Sequence, residues 1–170
     1  QRLVERRNAL KLAPQIVSGG GTGTFDFDAM AAVFTESQAG SFMFMDVQYE
    51  DVWSKDGLKP PFEPAMFVQT AVHSASHEGV VTTDAGSKRF ATDGGRVIVQ
   101  TPMPVPVEYK FHGDEHGKIF FADGKTHLTV GDRVECRLPH CDPTINLYDR
   151  IHCVRGDTLV AVWPIDARGI

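Results

Sequence analysis

The chain has 170 residues, enough for one ordinary domain or one domain and part of another. A hydrophobic content of 42% and a charged content of 23% are globular values and exclude global disorder. The net charge of −5, with no Lys/Arg cluster interleaved with aromatics, excludes a nucleic-acid binder, and no apolar run approaches the roughly 20 residues that span a bilayer.

Taken in chain order, residues 1–12 read as the tail of an amphipathic helix that starts at the terminus, without an initiating methionine or a signal-peptide pattern. Pro14 ends it, and Gln15-Ile16-Val17 reads as a short strand. The loop SGGGTGT (Ser18 to Thr24) follows, then FDFDAMAAVF (Phe25 to Phe34), whose Ala-rich middle favours helix. Gly40 resets the pattern, and SFMFMDV (Ser41 to Val47) reads as a buried strand. Helix, strand, loop, helix, strand is the alternation of a parallel α/β layer. Asp56-Gly57 and Lys59-Pro60-Pro61 mark a turn and linker, which divides the chain into residues 1–55 and 56–170. Beyond it, strand candidates cover 66–74, 79–83, 97–101, 108–112, 118–121, 133–138, 147–155 and 158–163. Their separators, Asp84-Ala85-Gly86, Asp93-Gly94-Gly95, Asp123-Gly124 and Arg155-Gly156-Asp157, are turn formers. This spacing predicts a barrel or sandwich-like β domain. TPMPVPV (Thr101 to Val107) lacks three backbone donors and reads as an extended loop or edge.

Two stretches carry chemistry. In Ser18 to Thr24, glycines let backbone N–H groups crowd round an anion at a helix start, with the hydroxyls of Ser18, Thr22 and Thr24 as further donors. Such a loop serves either as a phosphate cradle or as a plain tight turn, and without a Gly-Lys-Ser/Thr ending it is no nucleotide P-loop. In Pro139-His140-Cys141-Asp142-Pro143-Thr144, an imidazole and a carboxylate stand two residues apart. In extended backbone both would project to one face, able to grip a borderline divalent cation, while Cys141 points away. Two protein ligands leave positions open for water or substrate. His73 and His77 read as ordinary polar positions. His116 would either approach a site or hold a hairpin. Lys88 reads as a solvated or structural residue. The three cysteines, Cys136, Cys141 and Cys153, suit reduced thiols in a cytoplasmic protein.

SGGGTGT, TDAGSKRFATDGG (Thr83 to Gly95), GDEHG (Gly113 to Gly117), HCDPTINLYD (His140 to Asp149) and VWPIDARG (Val162 to Gly169), in this order, resemble the D-threonine aldolase, 3-hydroxy-D-aspartate aldolase and D-serine dehydratase-like family. These are fold type III pyridoxal-phosphate enzymes. The resemblance implies an α+β chain: the last βα units of a (β/α)8 alanine-racemase-type barrel in residues 1–55, then a mainly antiparallel β domain with a metal site in 56–170. It implies pyridoxal 5'-phosphate held by Gly20, Gly21, Thr22 and Gly23, with Tyr49 either reaching the phosphate or packing at the domain junction. It implies a divalent metal (Mn²⁺, Zn²⁺ or Mg²⁺) on His140 and Asp142.

The dehydratase branch is expected to use His-x-Cys, so His-x-Asp points to the aldolase side: cleavage of a D-3-hydroxy amino acid to glycine and an aldehyde. The alternatives are a D-serine dehydratase-type elimination and a metal-binding β domain without catalysis. The family's Schiff-base lysine lies early in its barrel and has no counterpart here, so the catalytic lysine is unassigned. The chain is expected to be the C-terminal part of the enzyme, inactive without the missing N-terminal barrel half, the whole enzyme being a homodimer.

Overall fold

In the computed structural model the described residues are 2–12, 14–55 and 57–168; Gln1, Ala13, Asp56, Gly169 and Ile170, which the expected first helix, linker turn and last motif touch, lie outside them. Helix α1 (Arg2–Ala9) comes first. Strand β1 (Ser18–Gly19), helix α2 (Phe25–Ala31) and strand β2 (Glu36–Ser37) follow, and β1 pairs with β2 in parallel, Ser18 opposite Glu36 and Gly19 opposite Ser37. The alternation is therefore present, but both strands lie elsewhere than expected. Pairing starts at Val17, whose carbonyl accepts from Thr35 N and whose N–H donates to Thr35 Oγ1. This anchors the strand one step later than Gln15-Ile16-Val17.

Ser41 to Val47 is not a strand. Ser41–Met43 forms a 3-10 turn, and Val47 opens helix α3 (Val47–Lys55). Asp46 explains the switch: its Oδ1 accepts from Tyr49 N at 3.0 Å, the N-cap contact that starts a helix. The apolar residues then serve two purposes, with Met45 and Val47 buried while Met43 faces solvent. Helix α3 buries Val47 and Trp53, six residues apart, on the side that meets the β domain and α2.

The β domain is built on β3 (Phe67–His77), β4 (Val80–Thr83), β5 (Ile98–Val99), β6 (Val107–Phe111), β7 (Gly117–Phe121) and β8 (Arg133–Arg137). They form one antiparallel sheet in the order β5-β8-β3-β4-β7-β6, curled so that β5 comes back beside β6. Period-two burial along β3 (Val68, Thr70 and Val72 inward) and along β7 (Gly117, Ile119 and Phe121 inward) sets the registers. The interior holds Phe90, Ile119, Leu138, Val72, Val81 and Val134, all at 1% exposure or less. Each such side chain contributes about 1.5–3 kcal/mol of burial. A bulge in β3 between Val72 and Ser74 reverses which side of the strand faces inward, so Ser74 and Ser76 turn to the outer face. Thr101 to Pro106 carries no strand, as its prolines require.

Two elements close the chain. The expected 147–155 strand begins later, because Cys141–Ile145 is a short helix, α4. Strand β9 (Arg150–Arg155) and strand β10 (Thr158–Pro164) form a ribbon that, among the described residues, pairs with no third strand. The molecule is α+β, with the antiparallel sheet as its largest layer.

Candidate metal centre and phosphate loop

The His140-Cys141-Asp142 segment is not extended throughout. His140 is the residue before α4, with extended φ −148° and ψ 125°, and Asp142 stands in the first turn of that helix. Pro143 is tolerated there because its missing N–H would be unpaired anyway. The two side chains nevertheless converge: His140 Nε2 lies 3.5 Å from Asp142 Oδ2. Cys141 turns inward and is 2% exposed. Burial pushes its thiol pKa up to about 12, yet its Sγ–H donates to Asp142 Oδ2 at 3.4 Å, so it does not point wholly away from the pair as expected. The expected facing of the pair holds, but a helix start produces it rather than a strand.

Three long-range contacts fix this corner. Asp93 Oδ2 lies 3.0 Å from His140 Nδ1, so the imidazole sits between two carboxylates. Ser41 Oγ donates to Asp142 Oδ2 at 3.3 Å. Asp46 Oδ2 accepts from Cys141 N at 2.9 Å, so the carboxylate that caps α3 also holds the first N–H of α4. Val47 N and Gln48 N donate to the carbonyls of Leu138 and Pro139 and press the same junction together. Thr144, buried, donates from Oγ1 to His140 O and accepts from Ala91 N. Sequence reasoning missed Asp93, Asp46 and Ser41. Asp93 reads only as part of an Asp-Gly-Gly turn, and nothing local couples it to a histidine 47 residues on.

Among the described residues no three His, Cys, Asp or Glu side chains are grouped to hold an ion. The His140–Asp142 pair would offer a cation two ligands and leave its other positions toward solvent, as Asp142 is largely exposed and the imidazole is half-buried. An imidazole held on its far nitrogen by a carboxylate is the donor set that a borderline divalent cation favours, so these residues fit such an ion.

In the glycine loop, Gly20 adopts φ +80° and Asp28 Oδ2 presses against it, 2.3 Å from where a Cβ would stand. Gly21 has open space at its Cβ position, and a Cβ added at Gly23 would stand 3.3 Å from the Tyr49 ring. The structure therefore brings Tyr49 onto the loop. Two of the three hydroxyls spend their proton inside the protein, and the third keeps its own. Ser18 Oγ donates to Glu36, Thr24 Oγ1 donates to Asp28, and buried Thr22 Oγ1 accepts from Phe42 N. The Gly21 side of the loop is open, so a phosphate group there would be met by main-chain N–H groups and the Thr22 hydroxyl, with the Asp28 carboxylate on the Gly20 side.

The other candidates are placed plainly. Lys88 pairs with Glu115 on the surface, and that hydrogen bond and charge raise its pKa. It is a protonated lysine and unfit as a nucleophile. His73 and His116 stack edge to face, 6.1 Å between centroids. His77, His112 and His116 line a depression of about 260 Å³ with Ser74, Thr82 and Lys118, and none of its lining residues belongs to the His140–Asp142 corner. No helix among the described residues is long and apolar enough to cross a membrane.

Residues 65–154, a span that carries the sheet, α4 and the His140–Asp142 pair, match the family model described as "Putative serine dehydratase domain". The chain belongs to this family. Within the serine dehydratase domain family it is similar to the 3-hydroxy-D-aspartate aldolase of Paracoccus denitrificans (strain Pd 1222), 36% identical over 169 residues, which are 98% of this chain and 43% of that protein. The crystal structure of D-threonine aldolase from Filomicrobium marinum superposes with a TM-score of 0.85 at 36% identity, covering 95% of this chain and 44% of that one. An Ala racemase-like protein from Idiomarina loihiensis, at 20% identity and TM-score 0.75, covers 94% of this chain and 46% of its own and shares the fold. The chain spans less than half the length of these proteins and corresponds to their C-terminal part.

Proposed function

We propose that this chain is the metal-bearing, C-terminal portion of a pyridoxal-phosphate-dependent lyase that cleaves D-3-hydroxy amino acids to glycine and an aldehyde. The observation that carries the reading is the facing of His140 Nε2 and Asp142 Oδ2 across 3.5 Å, in a chain 36% identical to an aldolase of this substrate class. His140 and Asp142 would hold Mn²⁺, Zn²⁺ or Mg²⁺. The Gly21–Gly23 backbone, with Gly20 and Thr22 shaping the turn and Tyr49 covering it, would hold the cofactor phosphate. When bound, the cation supplies Lewis-acid polarisation of a substrate oxygen and the pyridine ring an electron sink. The chain's own contribution is positional: Asp46 and Ser41 tie the 41–49 segment to the His140–Asp142 corner, and Phe42 N and the Tyr49 ring of that segment meet the glycine loop at Thr22 and Gly23.

Asp at the second ligand position, with Cys141 buried, favours aldol cleavage over elimination. The proposed partner is the barrel half that these relatives carry in addition, with the homodimer as the assembled form. Mn²⁺ and Zn²⁺ titrations of this chain should show one site that His140→Ala abolishes. Complementation with the remaining portion of the Paracoccus aldolase should then yield glycine and acetaldehyde from D-threonine. Pyruvate and ammonia from D-serine, without cleavage of D-threonine, would replace the aldolase with a dehydratase. With pyridoxal phosphate alone, this chain should show no borohydride-reducible internal-aldimine absorption band.

A further inference from the structure

The imidazole of His140 has a carboxylate at each nitrogen, Asp93 at Nδ1 (3.0 Å) and Asp142 at Nε2 (3.5 Å). A neutral imidazole carries one N–H and one lone pair, and only the lone pair can bind a cation. A carboxylate can only accept, so whichever of the two takes the N–H decides which nitrogen is left bare. If Nε2 carried the proton it would donate to Asp142, and the pair would close on itself with no lone pair between its members.

We infer that Asp93 is the positioning residue of this centre: it takes the Nδ1–H of His140 and leaves Nε2 as a bare acceptor beside Asp142, a role that rests on reading His140 and Asp142 as the cation's ligands. The loop that carries Asp93 is built to reach the ring. Phe90 is fully buried, Ala91 N donates to Thr144 Oγ1 at 3.0 Å, and Tyr148 OH donates to Arg89 O at 2.9 Å. Gly94 then passes so close to His140 that an added Cβ would stand 2.4 Å from the His140 Cβ and 2.7 Å from Pro139 O. Only glycine lets the loop bring its aspartate alongside. The anchors at Phe90 and Ala91 belong to the packing, whereas the Asp93 side chain is 60% exposed and holds nothing but the imidazole among the contacts described.

The test combines Mn²⁺ and Zn²⁺ calorimetry on the 170-residue chain with long-range ¹H–¹⁵N correlation of its histidines, recorded metal-free with the imidazole neutral. Wild type should show His140 as the Nδ1–H tautomer. Asp93→Ala should shift it toward Nε2–H and weaken metal binding about 10–100-fold, with the fold unchanged by circular dichroism. Asp93→Glu should restore both partly. A wild-type chain that binds no metal, or a His140→Ala variant that binds as wild type, overturns the ligand assignment itself. Metal binding lost in His140→Ala but unchanged in Asp93→Ala, with the tautomer also unchanged, overturns the role of Asp93 alone.

Discussion

Asp46 is 1% exposed, and its two carboxylate oxygens each accept a backbone N–H, from Tyr49 in α3 and from Cys141 in α4. One side chain thus caps two helix starts, that of α3 beside it and that of α4, whose Cys141 lies 95 residues on. Removing it leaves both donors buried without a partner, so Asp46→Ala should destabilise the chain by about 2–4 kcal/mol in urea unfolding. Asp84 makes the second buried network. Burial alone would raise its pKa, but the hydrogen bonds from Thr70 Oγ1 (2.6 Å) and Ala71 N (2.8 Å), with the field of His73, outweigh that and leave it lowered. A carboxylate lowered by folding contributes stability that is complete above its ordinary value near 4 and is lost as pH falls through the lowered one. Acid unfolding followed by circular dichroism should therefore be steeper below about pH 4 in wild type than in Asp84→Asn.

At the scale of elements, the β9–β10 ribbon differs from the six-stranded sheet. Val154 and Leu159 on one face and Trp163 on the other are more than half exposed, and among the described residues the ribbon pairs with no third strand. A lone two-stranded hairpin is marginal in water. Amides of residues 150–164 should therefore exchange with solvent much faster than those of β3, β4 and β7, whose ladders are flanked on both sides and backed by Ile119 and Val81. Equal protection in hydrogen-exchange mass spectrometry would contradict this. The helices show why local signals misplace elements. Ser41 to Val47 is apolar enough for a strand, yet Asp46 supplies a cap and no sheet edge receives it. Pro143 and Asp142 are first-turn residues of α4 that, next to the strand-like Arg133 to Leu138, read as a continuation of extended chain.

Over the whole molecule, the cysteines report how the parts are packed. Cys136 and Cys141 lie in the interior, and burial pushes both thiols up to about 12. Cys153 lies on the ribbon and is only half-buried. Iodoacetamide at neutral pH should modify Cys153 in the folded chain and the other two only after denaturation, a pattern that peptide mass spectrometry reads directly.

Much of the architecture was legible because it is written in short spacing. Turn formers at regular intervals marked the strands of the larger sheet, the Gly-rich loop ran into a helix as read although its own Ser18 and Gly19 form the strand, and His140 and Asp142 stood near enough in sequence that a strand or a helix start would bring them together. The hydroxyls of Ser18 and Thr24 turn to Glu36 and Asp28, since a side chain's partner depends on what the fold lays beside it. Sequence by itself determined the family motifs, the α+β class and the adjacency of an imidazole and a carboxylate. Only the tertiary structure decided which carboxylate orients that imidazole, which one caps both helices and which hydroxyl touches Asp142. Those contacts join residues 47, 95 and 101 positions apart, and hydrogen bonds of that reach exist only once the hydrophobic interior has drawn their loops together.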